Sequence, residues 1–422
     1  MRRCISPSRV QGEITVPGSR SIANRALVAA ALASGASRLQ GVPVCDDTAA
    51  MIGGLRSLGV EIRSDAGEVH VTGTAGVIGM SGAVVDAMAS GTTARFLTAL
   101  ACLGEQQAVI DGSERLRERP LGPLLEALRA IGASVGGERL PVIVGGSGPR
   151  GGTVRIDASA SSQFVSALAL IGPAISGGLT IEWGHLASRP FVETTVEVMA
   201  TFGAQADLSL SRLDVSDRSH YRGTNVTIPP DAASAVYPAL ASALTGGSVL
   251  IKGLKRVPSQ ADNRVFDVFE AMGCRVTWND AGLLVAGPDR LRSIDADMSG
   301  APDGALAVAI AAAFGDGTST IHGLGTLAAK ESDRLAGLAE GLTALGSTIE
   351  NNEDALVITP GPARDTEIDP QADHRMAMAF SVAGLARDGV SVNGTDCVTK
   401  TWPRFYEDME QIAGAGWARC DR

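Results

Sequence analysis

At 422 residues the chain is longer than one ordinary hydrophobic core supports, so two domains are expected. A formal net charge of −10 speaks against a general nucleic-acid-binding face while leaving room for a local basic cleft that holds a small anion. Six scattered cysteines without a Cys-x-x-Cys pair and five histidines without ligand spacing argue against a disulfide frame or a metal site. With no apolar run suited to a signal peptide or a membrane span, the expectation is a reduced, cytoplasmic protein that engages neither membrane nor nucleic acid.

The first element in chain order is a short strand, Gly12-Glu-Ile-Thr-Val, expected to pair with the C-terminal half. After Pro17 an alanine-rich apolar segment opens at Gly18-Ser-Arg-Ser. Five more follow, opening at Ser90-Gly-Thr-Thr, Ala160-Ser-Ser-Gln, Pro230-Asp-Ala-Ala-Ser, Pro302-Asp-Gly-Ala and Ala372-Asp-His-Arg. Each breaks near a glycine and is followed by a strand ending at Gly41, Gly112, Gly184, Gly253, Gly323 or Gly394, a period of about 70 residues. A second element repeats with the same period. Leu55-Arg-Ser-Leu-Gly, Leu128-Arg-Ala-Ile-Gly, Met199-Ala-Thr-Phe-Gly, Phe269-Glu-Ala-Met-Gly and Leu342-Thr-Ala-Leu-Gly each read as the end of an amphipathic helix closed by glycine, and Met409-Glu-Gln-Ile-Ala-Gly is a weaker sixth copy. Six helix–strand–helix–strand copies divide into two sets of three. The break falls near Pro229-Pro230, giving one domain over 18–229 and a second over 1–17 plus 230–422, with hinges near 17–18 and 229–230.

Helix starts rich in Ser, Thr and Asp are ordinary caps, but a helix start also exposes unpaired N–H groups that suit an anion. Charge lifts these starts above capping: Arg20 and Arg25 at the first, Arg95 at the second, His374 and Arg375 at the sixth. A cation at a helix N-terminus opposes the dipole unless an anion binds there too. More cations lie in Glu114-Arg-Leu-Arg-Glu-Arg-Pro, in Ala329-Lys-Glu-Ser-Asp-Arg-Leu, where Lys330 and Arg334 are spaced one helical turn apart, and at Lys400. Asp303 and Glu331 are carboxylates set among these cations. Either can serve proton transfer, and Asp303 can equally be an N-cap.

Together these motifs resemble the 5-enolpyruvylshikimate-3-phosphate synthase family of enolpyruvyl transferases. The resemblance runs through P-G-S-R-S-x-x-N-R-A (Pro17 to Ala26), S-G-T-T-A-R (Ser90 to Arg95), R-L-R-E-R-P (Arg115 to Pro120), S-S-Q-F (Ser161 to Phe164), P-D-G-A (Pro302 to Ala305), K-E-S-D-R-L (Lys330 to Leu335), D-H-R-M-A-M (Asp373 to Met378) and K-T-W-P (Lys400 to Pro403). It implies an α/β fold of two domains, each of three βαβαββ repeats, with helix N-termini facing an interdomain cleft that closes over substrate. It implies transfer of the enolpyruvyl group of phosphoenolpyruvate to the 5-hydroxyl of shikimate 3-phosphate, with release of phosphate, no cofactor and no metal, by a monomer. Shikimate 3-phosphate would be held by Ser21, Arg25, Ser161, Ser162, Gln163, Ser188, Asp303 and Lys330. Phosphoenolpyruvate would be held by Gly91, Arg115, Arg334, Arg375 and Lys400, with Arg20 and Gln163 touching both. Glu331 is the expected acid at the methylene and Asp303 the expected base at the hydroxyl.

Four positions depart from the family pattern: Arg20 stands for lysine, Ala89 for asparagine, Phe191 for tyrosine and Thr326 for asparagine. All are expected to face ligand, so they bear on affinity and on the response to the family's inhibitor glyphosate more than on the chemistry. The rival reading is an enolpyruvyl transferase for another acceptor, such as a specialised metabolite or a UDP-sugar. The UDP-sugar enzymes carry a reactive cysteine in a loop that here, at Arg115 to Pro120, has none.

Overall fold

The six apolar segments of the sequence are the six buried helices of the fold. The computed structural model describes residues 1–65, 67–79, 82–146 and 148–421. It divides into two compact units, Gly18–Ile228 and Met1–Pro17 with Pro229–Arg422.

Within Gly18–Ile228 the helices Arg20–Leu32, Gly91–Ala101 and Gln163–Ile171 are buried on nearly every face. A helix buried all round has no polar stripe, which is why these segments read as unbroken runs of Ala, Leu and Val. Around them lie the amphipathic helices Asp46–Ser57, Gly122–Ala130 and Pro190–Thr201 and three four-stranded sheets. Each sheet has one strand order. In two of them the first two strands run parallel across a helix, and in all three the unit's fourth strand lies between its second and third. That is a βαβαββ unit, with its parallel pair joined by the crossover that such a pair needs. The first unit takes its leading strand, Asn225–Thr227, from the far end of this stretch, where it pairs in parallel with Ala36–Gln40.

The other unit repeats the plan with buried helices Ala232–Thr245, Ala305–Ala312 and His374–Ala383. Its two N-terminal strands complete two different sheets. Gln11–Ile14 pairs in parallel with Ser248–Lys252, and Arg2–Ile5 sits between Val390–Val392 and Ala418–Asp421, antiparallel to both. Each unit has its own apolar core.

The glycines that close the amphipathic helices, Gly59, Gly132, Gly203, Gly273 and Gly346, all have positive φ, the left-handed turn that lets the chain reverse into the next strand. Among the described residues no helix is long and apolar enough to cross a membrane.

Candidate active site

In the C-terminal unit the site is built around one guanidinium. Asp373, wholly buried, precedes helix His374–Ala383 and caps it, Oδ1 accepting the Arg375 backbone N–H at 2.9 Å. The same carboxylate accepts Arg334 Nε at 2.7 Å and Nη2 at 3.3 Å. Arg334, first residue of helix Arg334–Ala344 and 1% exposed, also donates from Nη1 to Asp303 Oδ1 and from Nη2 to Glu331 Oε2, both at 2.9 Å. Around this centre Arg375 Nη2 lies 3.0 Å from Asp303 Oδ2, Lys330 Nζ 3.6 Å from Asp303 Oδ1, and Lys400 Nζ 3.7 Å from Glu331 Oε1. Asp303, Glu331, Lys330, Arg334, Arg375 and Lys400, scattered over nearly a hundred positions, therefore form one network.

Burial would raise the Asp303 carboxyl, but Arg375, Lys330 and Arg334 outweigh it and hold the group well below the usual carboxylate range. Burial would likewise lower Arg375 and Arg334. Asp303 is the chief partner that overrides it for Arg375, and Asp373, Glu331 and Asp303 do so for Arg334, so both are held above the usual arginine range.

Two details differ from the sequence reading. Asp303 is not a cap: the residue before helix Ala305–Ala312 is Gly304, no side chain caps that start, and the Asp303 carboxylate is turned to the cations instead. Lys330 and Arg334 do not share a helical turn. Lys330 is extended after the short 3-10 helix Leu327–Ala329, and the next helix starts only at Arg334, because Asp333 caps it by accepting the Ala336 N–H at 3.0 Å.

In the N-terminal unit the residues preceding the first and third buried helices make no side-chain cap, although Ser161 accepts the first two N–H groups of the third. Arg25, on the first of these helices, reaches the third and helix Pro190–Thr201. It is 2% exposed and donates to Thr195 Oγ1 (2.7 Å), Ser21 O (2.8 Å), Phe191 O (3.1 Å) and Ser166 Oγ (3.4 Å). None of these is a carboxylate, and burial pushes its pKa down to about 9. Gln163 joins the second and third starts, its Oε1 accepting Arg95 Nη1 at 2.7 Å and its Nε2 donating to Thr92 Oγ1 at 3.2 Å. Its backbone N–H donates to Ser161 Oγ at 3.2 Å, and Ser162 beside it is buried. Ser188 sits at φ 51°, a strained setting for a residue with a side chain, and its carbonyl accepts the Phe191 N–H.

Gly91 opens helix Gly91–Ala101, and a Cβ there would lie 2.5 Å from Arg95 Nη1 and 2.9 Å from Arg119 Nη1. The arginine of the Arg115–Pro120 motif that stands against Gly91 is thus Arg119. Arg115 is exposed and pairs with Glu118 Oε2 at 2.8 Å. Arg20 is drawn to Asp47, Nη1 to Oδ2 at 2.6 Å, with both side chains mostly buried. Thr326 Oγ1 is buried without a hydrogen-bond partner among the described residues. The sequence reading missed three participants. Asp373 and Arg119 lie inside motifs it had quoted, whereas Asp47 had no local signal.

Among the described residues no cluster of His, Cys, Asp or Glu is arranged to hold a metal ion. The arrangement suits anions: a first helix start without a side-chain cap, a buried guanidinium that meets no carboxylate among the described residues, and carboxylates embedded in cations.

A family model described as EPSP synthase (3-phosphoshikimate 1-carboxyvinyltransferase) matches residues 5–409. A 3-phosphoshikimate 1-carboxyvinyltransferase of Aliivibrio fischeri strain MJ11 is 36% identical over 419 residues, covering 96% of this chain and 98% of that protein. The same-named protein of Klebsiella pneumoniae subsp. pneumoniae is 37% identical over 417 residues, covering 96% and 97%. Among solved structures, an EPSP synthase from Acinetobacter baumannii superposes with a TM-score of 0.81 at 26% identity, over 98% of both chains. The enolpyruvyl transferase NikO from Streptomyces tendae shares the fold, with a TM-score of 0.77 at 19% identity over 97% of both chains.

Proposed function

The chain belongs to the EPSP synthase family, and on that premise we propose that it transfers the 1-carboxyvinyl group of phosphoenolpyruvate to the 5-hydroxyl of shikimate 3-phosphate, releasing phosphate. The observation that carries the substrate assignment is Arg25, a buried cation paired with no carboxylate among the described residues. A charge kept out of water needs a counter-charge, and the phosphate of the acceptor supplies one. Ser21, Ser161, Ser162, Gln163 and Ser188 are assigned to the same substrate as hydroxyl and amide partners. Gly91, Arg119, Arg334, Arg375 and Lys400 are assigned to phosphoenolpyruvate. Arg20 serves both ligands, and Lys330 serves the acceptor.

Glu331 is the acid that protonates the methylene carbon, making its neighbour electrophilic, and Asp303 is the base that takes the proton of the attacking hydroxyl. A carboxylate held by three cations is a weak base. Incoming phosphate and carboxylate groups compete for Lys330 and Arg375, loosening their hold on Asp303 and raising its basicity when substrates are present. Arg334, fixed by Asp373, keeps both carboxylates in register and stabilises the charge that develops. Phosphate then leaves from the tetrahedral intermediate as the proton movements reverse.

We further assign the protein to a monomeric state in the cytoplasm, the location being supported by six scattered cysteines with no Cys-x-x-Cys pair. Sedimentation of the purified protein tests the first point. The substrate assignment is tested by calorimetric titration of shikimate 3-phosphate into wild type and Arg25→Ala. Equal affinity in the two would remove Arg25 from the site.

A further inference from the structure

Asp262 has no part in the roles above, yet it is a buried carboxylate, 5% exposed, within the same unit. It stands at the N-cap position of helix Asn263–Ala271 but makes no capping bond, its backbone being helical at φ −70°, ψ −5°. Its Oδ1 is buried without a hydrogen-bond partner among the described residues. Gly304 shows where that oxygen points: a Cβ added there would lie 3.1 Å from it. Asp262 is therefore aimed at the turn Pro302-Asp303-Gly304, beside the proposed base. The groups that act on it from the surrounding elements are Asp303, Arg375 on helix His374–Ala383, Asp231 at the cap of helix Ala232–Thr245, and Lys330. In the ion-pair network Lys330, Arg334, Arg375 and Lys400 face Asp303, Glu331 and Asp373. An ionised Asp262 would join Asp303 and Asp231 among the carboxylates acting on Arg375.

We propose that Asp262 is a positioning residue for the phosphoenolpyruvate anion: a carboxylic acid kept neutral beside Asp303, so that Arg375 retains charge for the incoming ligand. The proposal rests on the assignment of Arg375 to phosphoenolpyruvate. Burial, reinforced by Asp303, pushes the Asp262 carboxyl up to about 7. Above that pH the carboxylate competes with the ligand for Arg375, and below it the carboxyl does not.

The test is the KM for phosphoenolpyruvate between pH 7 and 9, where a phosphate with a second pKa of about 6 is already doubly ionised. Wild-type KM is expected to rise by about fivefold or more across this range, because each pH unit above the pKa reduces the neutral fraction about tenfold. Asp262→Asn, which cannot ionise, is expected to show a flat KM, and Asp262→Glu, which can, to restore the rise. A flat wild-type profile, or one superimposable on that of Asp262→Asn, overturns the proposal. Neither result depends on the asparagine variant alone, since the wild-type profile is decisive by itself. Arg375→Gln separates the two layers. If its KM for phosphoenolpyruvate matches wild type, the Arg375 assignment falls and the proposal with it. If its KM rises while the wild-type profile stays flat, only the role of Asp262 is lost.

Discussion

Asp373 holds Arg334 by two guanidinium nitrogens, Nε at 2.7 Å and Nη2 at 3.3 Å, while the same guanidinium reaches Asp303 and Glu331. Asp373 thus touches neither proposed acid nor base, yet fixes the group that aligns both. Asp373→Asn leaves the shape and removes the charge. Breaking a buried ion pair on one side costs about 3–5 kcal/mol, so melting temperature should fall. Turnover should fall by about 100-fold or more, the scale of one lost transition-state electrostatic contact. Steady-state kinetics and a thermal melt check both, and unchanged turnover would remove Asp373 from the account.

Arg25 predicts a binding defect. Arg25→Ala should weaken shikimate 3-phosphate by about 30-fold or more, since a truncated buried charge partner costs about 2–5 kcal/mol. Arg25→Lys should recover only part of this, because a point charge cannot reproduce the four-acceptor fork. The calorimetric dissociation constants decide it.

Gly91 predicts a steric defect on the other substrate. A methyl group at 2.5 Å from Arg95 Nη1 and 2.9 Å from Arg119 Nη1 must displace one or both guanidinium groups. Gly91→Ala should raise KM for phosphoenolpyruvate by about tenfold, the cost of roughly 1.4 kcal/mol, with the dissociation constant for shikimate 3-phosphate little changed. Equal losses on both substrates would point to general damage at this helix start.

Asp47 holds the Arg20 fork at 2.6 Å, where the family has a lysine. Arg20→Lys replaces a locked planar group by a compact ammonium that swings more freely to an anion. The KM for phosphoenolpyruvate should fall by about threefold or more, a change of roughly 0.6 kcal/mol. A KM unchanged within error would show that this departure does not tune affinity.

The two neighbouring carboxylates have opposite signs in stability. Asp303 has a depressed folded-state pKa, so its contribution is present above its unfolded value and is lost only as acid takes the pH down through the folded one. Asp262 has a raised one, so the stability it carries as a neutral acid is complete at low pH and is lost as pH rises through about 7. Asp262→Asn should therefore melt increasingly above wild type between about pH 4 and 7, the gap levelling beyond. A gap independent of pH would contradict the raised pKa.

The parts of this architecture that recur or that sit in short motifs were readable from residues alone. The period of about 70 follows from glycines that must adopt positive φ at each helix end and from helices buried on all sides, and both leave local signatures. The cation-rich network was readable because its members lie in contiguous motifs. What was not readable depends on local geometry or on long-range pairing. Arg115 and Arg119 are four apart, as on one helical face, but the helix Glu114–Glu118 ends between them and Arg119 turns extended at ψ 144°, so the two side chains part company. Asp47 meets Arg20 across 27 residues of chain, a pairing that neither residue announces. Asp262 lies outside every motif of the sequence, and only its helical backbone and missing capping bond set it apart from an ordinary cap.

The central claim is the reaction itself, and its most direct test is phosphate release from purified, folded protein mixed with phosphoenolpyruvate and shikimate 3-phosphate, together and singly. The account predicts sustained release only when both are present, falling sharply in Asp303→Asn and Glu331→Gln. No release above background from folded wild-type protein with both substrates would contradict it.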